Sequence, residues 1–264
     1  MDDHEVGQMW DENAEVWTKL GRAGYDIYRD KVNTPVFFGM LPEVQGLCGL
    51  DIGCGEGHNT RLLAKRGAAM TAVDISETFI GQAQQVESES PLAIRYQLAN
   101  AHRLPFADET FDFATSFMCL MDMPEPERAL REAYRVIQRG GFLQFSITHP
   151  CFQTPLWNWI SDENVNKLGV ICGEYFDQKP GRIAEWIFGA VPSELKETLR
   201  QFRIPIFDRT LSEWMNALID AGFRIERLTE PRADEKTAAE CPRVADTRKV
   251  AYFLTVRCRK PAGS

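Results

Sequence analysis

Residues 50–64 read LDIGCGEGHNTRLLA: an apolar run closing on an acid, glycines at 53, 55 and 57, then a helical pattern. No other stretch constrains the fold as strongly, because the same strand-to-helix rhythm continues to residue 148. GLCGLDIG reads as a strand, HNTRLLAKRG as a helix with a glycine stop, and AAMTAVDIS as a buried strand ending in an acid. SETFIGQAQQVES follows as a helix with Ser76 at its N-cap, then AIRYQLAN and FDFATSFM as strands. EPERALREAYRVIQRGG is an amphipathic helix ending in Gly-Gly, and FLQFSITHP is a fifth strand. Strands alternating with helices imply βαβ units and a mostly parallel sheet, an α/β fold. Right-handed crossovers place ligands at the carboxyl ends of such strands, in the loops beginning at Gly53, Asp74, Asn100, Ser116 and Thr148.

The flanking segments read as parts of the same domain. Residues 1–45 form an N-terminal helical cap: Trp10, Ala14 and Trp17 share one helix face within a helical stretch over 9–38, and DIYRDKVNTPVFFGML carries a second, Pro-interrupted pattern. Residues 150–206 break the rhythm, with Trp157, Trp159, Tyr175, Phe176, Trp186 and Phe188 set among Gly and Pro. Disordered linkers are poor in aromatics, so this segment is expected to be an inserted lid folded over the mouth of the sheet. LSEWMNALIDAGF is a helix, RIERLTE and VAYFLTVRCRK are strands, and residues 231–249 between them are a polar, hairpin-like return. The core sheet is thus assigned to 46–149 and 207–259 of a single domain spanning 1–264.

Charge and composition remove several function classes. The net charge of -8 argues against a nucleic-acid partner. Arg128, Arg131, Arg135 and Arg139 recur at helical spacing, but Glu127 and Glu132 dilute them into a solvated face. Seven cysteines with scattered spacings and four dispersed histidines form neither a disulfide framework nor a metal-ligand cluster, so no metal is expected. The acidic, polar start MDDHEVGQMWDENAEVW lacks a signal-peptide core, and no apolar run nears the ~20 residues that span a bilayer. A cytoplasmic protein without membrane contact is expected.

Three ligand classes compete for the glycine loop. A nucleoside triphosphate needs a Lys after the last glycine, but His58 and Asn59 follow Gly57. NAD or FAD needs glycines at the first, third and sixth positions, and position six from Gly53 is His58. Asp51 and Glu56 would also repel a pyrophosphate. S-adenosylmethionine has no phosphate and is net cationic at its methionine end, so Asp51 beside its ammonium is favourable. Gly53, Gly55 and Gly57 allow close backbone approach, and Asp74 at the end of the next strand can accept both ribose hydroxyls. A tight turn for the glycines and a helix N-terminal acid for Asp74 are the structural alternatives.

LDIGCGEGHNTRLLA, VDIS, ANAHRLPFADETFD and LREAYRVIQRGGFLQFS together resemble the Rossmann-like class I S-adenosylmethionine-dependent methyltransferases, within the broad group that includes the ubiquinone/menaquinone-biosynthesis enzymes. The resemblance is close over about 46–148 and looser over 207–259. It implies a seven-stranded sheet of order 3-2-1-4-5-7-6 with an antiparallel seventh strand. It further implies that Gly53 and Gly55 line the methionine moiety with Asp51 near its amino group. Asp74 would hold the ribose, Ile75 would lie against adenine, Asn100 and Ala101 would contact adenine, and Phe117 would flank the methionine. Many members have an acid where this chain has Asn100, whose carbonyl oxygen can still accept from the adenine amine.

Methyl transfer needs alignment, exclusion of water and, for some acceptors, a base. In many members an N-terminal helix closes over the cofactor. Here Arg22 or Arg29 would pair with the cofactor carboxylate, and Tyr25 or Trp17 would face the sulfonium or the acceptor. Tyr25 and both tryptophans could equally serve packing, the reading preferred for Trp10. His149, at the end of the fifth strand, is a candidate base, or a histidine bonded to hold the start of the lid with Pro150 fixing its exit. Cys151 invites comparison with the thiolate of cytosine methyltransferases, but the acidic chain favours an inert thiol. His102 and Asp122 are weaker candidates. The lid aromatics suggest a small-molecule methyl acceptor with an apolar body and an O, N or activated C nucleophile, unless they form only a mini-core. The rival readings are a nicotinamide oxidoreductase on a similar sheet and a cofactor-binding protein without catalysis.

Overall fold

Residues 1–177 and 180–263 are described by a computed structural model. Helix α1 (Asp3–Arg22) leads into a π-helical turn (Arg29–Asn33) and α2 (Thr34–Met40). Then come β1 (Cys48–Ile52), α3 (His58–Lys65), β2 (Ala69–Asp74), α4 (Glu77–Glu89), β3 (Arg95–Leu98), β4 (Phe111–Phe117), a 3-10 turn (Leu120–Asp122), α5 (Pro126–Val136) and β5 (Ile137–Thr148). Two hairpins follow: β6 (Leu156–Ser161) with β7 (Lys167–Gly173), and β8 (Arg182–Trp186) with β9 (Phe202–Ile206), the second enclosing α6 (Ser193–Lys196). The chain closes with α7 (Leu211–Asp220), β10 (Arg224–Thr229), α8 (Glu235–Glu240), a 3-10 turn (Pro242–Arg248) and β11 (Phe253–Arg259).

The central sheet has the order β3-β2-β1-β4-β5-β11-β10. Strands β1 to β5 pair in parallel, while β11 runs antiparallel to both β5 and β10. This is the order and the antiparallel strand that the resemblance implied. Side chains alternate across the sheet as strand pleating requires. Leu143, Phe145 and Ile147 of β5 face α5 and α7 with Leu130, Trp214 and Leu218, whereas Phe142 faces the opposite layer with Phe37, Leu63 and Ile80. The topology reverses between β1 and β4, which opens the crevice where α/β sheets bind ligands.

Several boundaries differ from the sequence reading for local reasons. Helix α1 begins at Asp3, six residues before the expected 9. Asp2 and Glu5 form a reciprocal capping box that satisfies its first N–H groups. Pro35 opens α2, where its missing N–H costs nothing, and so does not interrupt a helix. Gly140 and Gly141 lie inside β5, not at a helix end. A Cβ at Gly141 would stand 2.4 Å from the Asp112 carbonyl oxygen, and the β4–β5 register shifts there. Residues 231–249 are not a bare polar return. They contain α8 and the last 3-10 turn, whose Val244, with Ala233, buries Val32 of the π-helical turn.

Hairpin β8–β9, within the segment read as a lid, packs against helix α1. Asn13 of α1 clamps it, donating to the Arg203 carbonyl at 2.9 Å and accepting the Arg203 N–H at 3.0 Å. Trp17 packs against Trp186, Phe188 and Phe202. Cap and lid are therefore one continuous cover over the crevice.

Candidate functional site

A cavity of about 650 Å³ runs between the carboxyl ends of the central strands and this cover. Its floor is the glycine loop. Gly53, Gly55 and Gly57 all have positive φ (+71°, +54° and +85°), which only glycine adopts at little cost. Their surroundings differ. A Cβ at Gly53 would lie 2.0 Å from the Cys119 Sγ, and one at Gly57 would lie 2.5 Å from the Tyr96 hydroxyl. At Gly55 a Cβ would meet nothing within 4 Å, so that backbone opens onto the cavity. Gly53 also lines the cavity; Gly57 does not. The cofactor-contact expectation for Gly57 is thus corrected: it starts α3 in the left-handed conformation and packs against Tyr96.

Asp74 occupies the expected place. One oxygen accepts the Gly55 N–H at 2.8 Å and the other the Ser76 N–H at 2.9 Å, tying the two ligand loops together. Burial pushes its carboxyl up to about 6 despite those bonds. Ile75, Ala101 and Phe117 line the cavity. Asn100 lines it too, with its amide engaged: Nδ2 donates to Asp3 at 2.6 Å and Oδ1 accepts the His102 N–H at 2.8 Å. His102 is buried on the cavity wall; its Nδ1 lies 2.9 Å from Asp3, and its Nε2 has no partner among the described residues.

Asp51 does not reach the cavity. It is buried below the loop, where Thr60 and Thr115 donate to its two oxygens at 2.6 and 2.8 Å. The carboxylate that the loop presents to the cavity is Glu56, 3.7 Å from Arg29 and 3.5 Å from Arg22. Arg29 is held on the wall by Asp30 at 2.8 Å and the Gly21 carbonyl at 3.2 Å. Neighbouring Asp26 is half-buried, and desolvation outweighs the pull of Arg29 to raise its carboxyl to about 6. Tyr25 lines the cavity beside the cap's aromatic cluster.

His149 is a further correction, after Gly57 and Asp51. It is buried but faces away from the cavity. Its Nδ1 accepts the Cys151 N–H at 3.2 Å and its Nε2 lies 3.1 Å from Glu230, so both ring nitrogens are occupied. Burial lowers its pKa, which opposes protonation in the fold. This geometry anchors the start of the lid. His149→Ala is expected to lower stability by about 1–2 kcal/mol in denaturant melts, with S-adenosylhomocysteine affinity within twofold of wild type. Because the folded-state pKa lies below 6.5, stability should fall as pH drops through that value, and the variant should lose this dependence. A tenfold change in affinity would restore His149 to the site.

One feature escaped the sequence reading, and another was only a weaker candidate in it. Asp246, in the segment read as a polar return, accepts from Tyr28 at 3.0 Å, Tyr252 at 3.0 Å and Lys167 at 2.6 Å, and all four line the cavity. Lys167 also lies 4.2 Å over the Trp159 ring. This cluster joins cap, lid and the last 3-10 turn. The second feature is Asp122, a cavity-lining carboxyl with no hydrogen bond or ion pair among the described residues. Its signal was present in CLMDMP, one acid enclosed by apolar residues.

The lid aromatics divide. Trp157 and Trp159 line the cavity and pack on Tyr252. Trp186 and Phe188 serve both the cap cluster and the wall. Tyr175 and Phe176 meet edge-to-face and do not line the cavity.

The residues fit S-adenosylmethionine. Asp74 keeps acceptor capacity toward the cavity, Ile75 and Ala101 supply apolar faces, and Gly55 leaves backbone uncovered. The comparisons agree. Residues 50–145 match the methyltransferase domain family. A ubiquinone biosynthesis O-methyltransferase from Coxiella burnetii is 34% identical over 139 residues, 52% of this chain and 59% of that protein. The match thus spans about three fifths of that relative's length. A crystal structure of an S-adenosylmethionine-dependent methyltransferase from Mesorhizobium loti superposes with a TM-score of 0.70 at 26% identity, over 85% of this chain and 96% of that one. The [4+2]-cyclase SpnF shares the fold, with a TM-score of 0.61 at 18% identity over 100% of this chain and 98% of that one. Fold likeness at that identity does not carry chemistry across.

Proposed function

By its domain match and its fold the chain is a class I S-adenosylmethionine-dependent methyltransferase with S-adenosylmethionine as its cofactor, and from that premise we propose that it methylates a small, apolar or aromatic molecule. The observation that carries the reading is the division of the cavity wall. Its glycine-loop side holds Asp74, Asn100, Glu56 and Arg29, while Met121, Met123, Trp157, Trp159 and Phe207 give the remainder an apolar body interrupted by Asp122, Lys167, Asp208, Arg209 and Asp246. A pocket with an apolar body and a few convergent polar groups suits a small ligand.

When bound, the cofactor supplies a methyl carbon activated by a sulfonium, and the chain's work is alignment and exclusion of water. Asp74 would accept from the ribose hydroxyls. Ile75 and Ala101 would supply apolar faces for the adenine, and the Asn100 Oδ1 would offer its second lone pair to the adenine amine. Glu56 and Arg29 form an acid–base pair matched to a zwitterionic amino-acid end, with Asp51 acting on it only through its field. Phe117 and Tyr25 close the methyl-bearing side. The cap and lid exclude water through the Asp246 cluster and the Asn13 clamp.

The expected result is protection against thermal unfolding by S-adenosylhomocysteine and not by NADH. Methyl-labelled cofactor, offered with separated metabolite, protein and RNA fractions, should label the metabolite fraction. Label confined to protein or RNA would overturn the small-molecule reading. Protection by NADH alone would overturn the cofactor assignment.

A further inference from the structure

We propose that Asp122 is a catalytic residue that receives the proton of the acceptor's nucleophile, which makes that nucleophile a hydroxyl or an amine. The inference rests on the methyl-acceptor reading above and narrows it. Three observations carry it.

The first is position. Met118 leaves β4 in a left-handed conformation, φ +53°, and the turn brings the Cys119 side chain against Gly53. Asp122 follows three residues later, in a 3-10 turn against which lid strand β9 packs. It therefore lies between the glycine loop that seats the cofactor and the lid that covers the acceptor. The second is isolation. Asp122 is 7% exposed and lines the cavity, yet no donor or cation among the described residues engages its carboxyl. Every other buried carboxyl discussed here has a partner: Thr60 and Thr115 for Asp51, backbone N–H groups for Asp74, two tyrosines and Lys167 for Asp246.

The third is energetic. A buried carboxyl without a partner is costly, and native structures retain few of them. Leu120, Met121 and Met123 surround it in sequence, and desolvation alone holds its carboxyl well above the usual carboxylate range. A carboxylate in such a setting binds a proton more tightly than an ordinary aspartate does. A ligand O–H or N–H supplies the missing donor. As the nucleophile bonds to the methyl carbon, its O–H or N–H bond breaks, the bonding pair stays on the nucleophile, and the proton passes to an Asp122 oxygen. An acceptor reacting through a thioether or a carbon with no such donor would leave Asp122 unpaired.

Simple aromatic probes test this without knowledge of the natural acceptor. Binding of phenol, benzylamine and toluene to protein saturated with S-adenosylhomocysteine can be followed by tryptophan fluorescence. Phenol and benzylamine should bind at least about tenfold tighter than toluene. In Asp122→Leu that preference should vanish or invert. Asp122→Asn keeps an acceptor oxygen and should retain part of it, with thermal stability equal to or above wild type. Equal binding of the three probes by the wild type, or a preference unchanged in Asp122→Leu, overturns the assignment. Calorimetry with S-adenosylhomocysteine on the same samples separates the layers. If it binds and the preference is absent, the Asp122 inference alone fails; if it does not bind, the methyltransferase reading itself fails.

Discussion

Replacing Asp74 by alanine should weaken S-adenosylhomocysteine binding about a hundredfold or more in calorimetry, with little change in the stability of the ligand-free protein. Two ribose hydroxyls donating to one carboxylate are each worth about 1.5–3 kcal/mol, and about 3 kcal/mol corresponds to a hundredfold in Kd. The stability half follows from the pKa. The folded-state value is raised from 3.8 to about 6, so ionising Asp74 costs the fold about 3 kcal/mol above that pH. Alanine removes that cost and also forfeits the bonds from the Gly55 and Ser76 N–H groups, and these effects oppose each other. The sign with pH is fixed. A raised acid means the fold binds the proton more tightly than the unfolded chain, so ligand-free stability declines as pH rises from about 4 to about 6. Cofactor affinity rises over the same window as the carboxylate forms. An affinity independent of pH between 5 and 7 would remove Asp74 from the ribose site.

Gly53→Ala and Gly55→Ala should separate what neighbouring glycines do. At Gly53 the new Cβ adds left-handed strain of about 1–2 kcal/mol to a 2.0 Å collision with Cys119, and overpacking of this kind costs about 1–3 kcal/mol more. A total near 3 kcal/mol should lower Tm by roughly 6–12 °C in a chain of this size. Cys119→Gly in the same background should recover part of the loss, because it removes the colliding atoms. At Gly55 the Cβ meets no protein atom, so only the strain is paid. That methyl instead projects into the cavity, so Gly55→Ala should lose more S-adenosylhomocysteine affinity than stability. Equal Tm losses in the two variants would contradict the different surroundings of the two residues.

The glycine loop shows how far a sequence reading extends. Three glycines at every second position look alike in one dimension, and all three do adopt positive φ. Backbone conformation is a local property, so it was legible. Whether a glycine faces a ligand, a cysteine or a tyrosine depends on Cys119 and Tyr96, which lie 66 and 39 residues further along. Asp51 and Asp74 both end strands in an acid, yet Thr60 and Thr115 draw one beneath the loop while the other opens on the cavity. Glu56, which counted in the sequence as an obstacle to pyrophosphate, is the acid that reaches the wall.

The sequence by itself determined the alternation of strands and helices, the parallel sheet with its carboxyl-edge crevice, and the family of the cofactor. Those follow from short-range periodicity, turn chemistry and the handedness of crossovers, which each segment carries within itself. Only the tertiary structure decided which side chains at that edge face inward. His149 turns away because Glu230 and the Cys151 N–H hold both its nitrogens. Asp246 turns in because Tyr28, 218 residues earlier, and Lys167, 79 residues earlier, converge on it. Asp122 lines the cavity with no partner for its carboxyl among the described residues. Such orientations are set by desolvation and hydrogen bonding between distant segments, and no local pattern encodes the partner that will arrive.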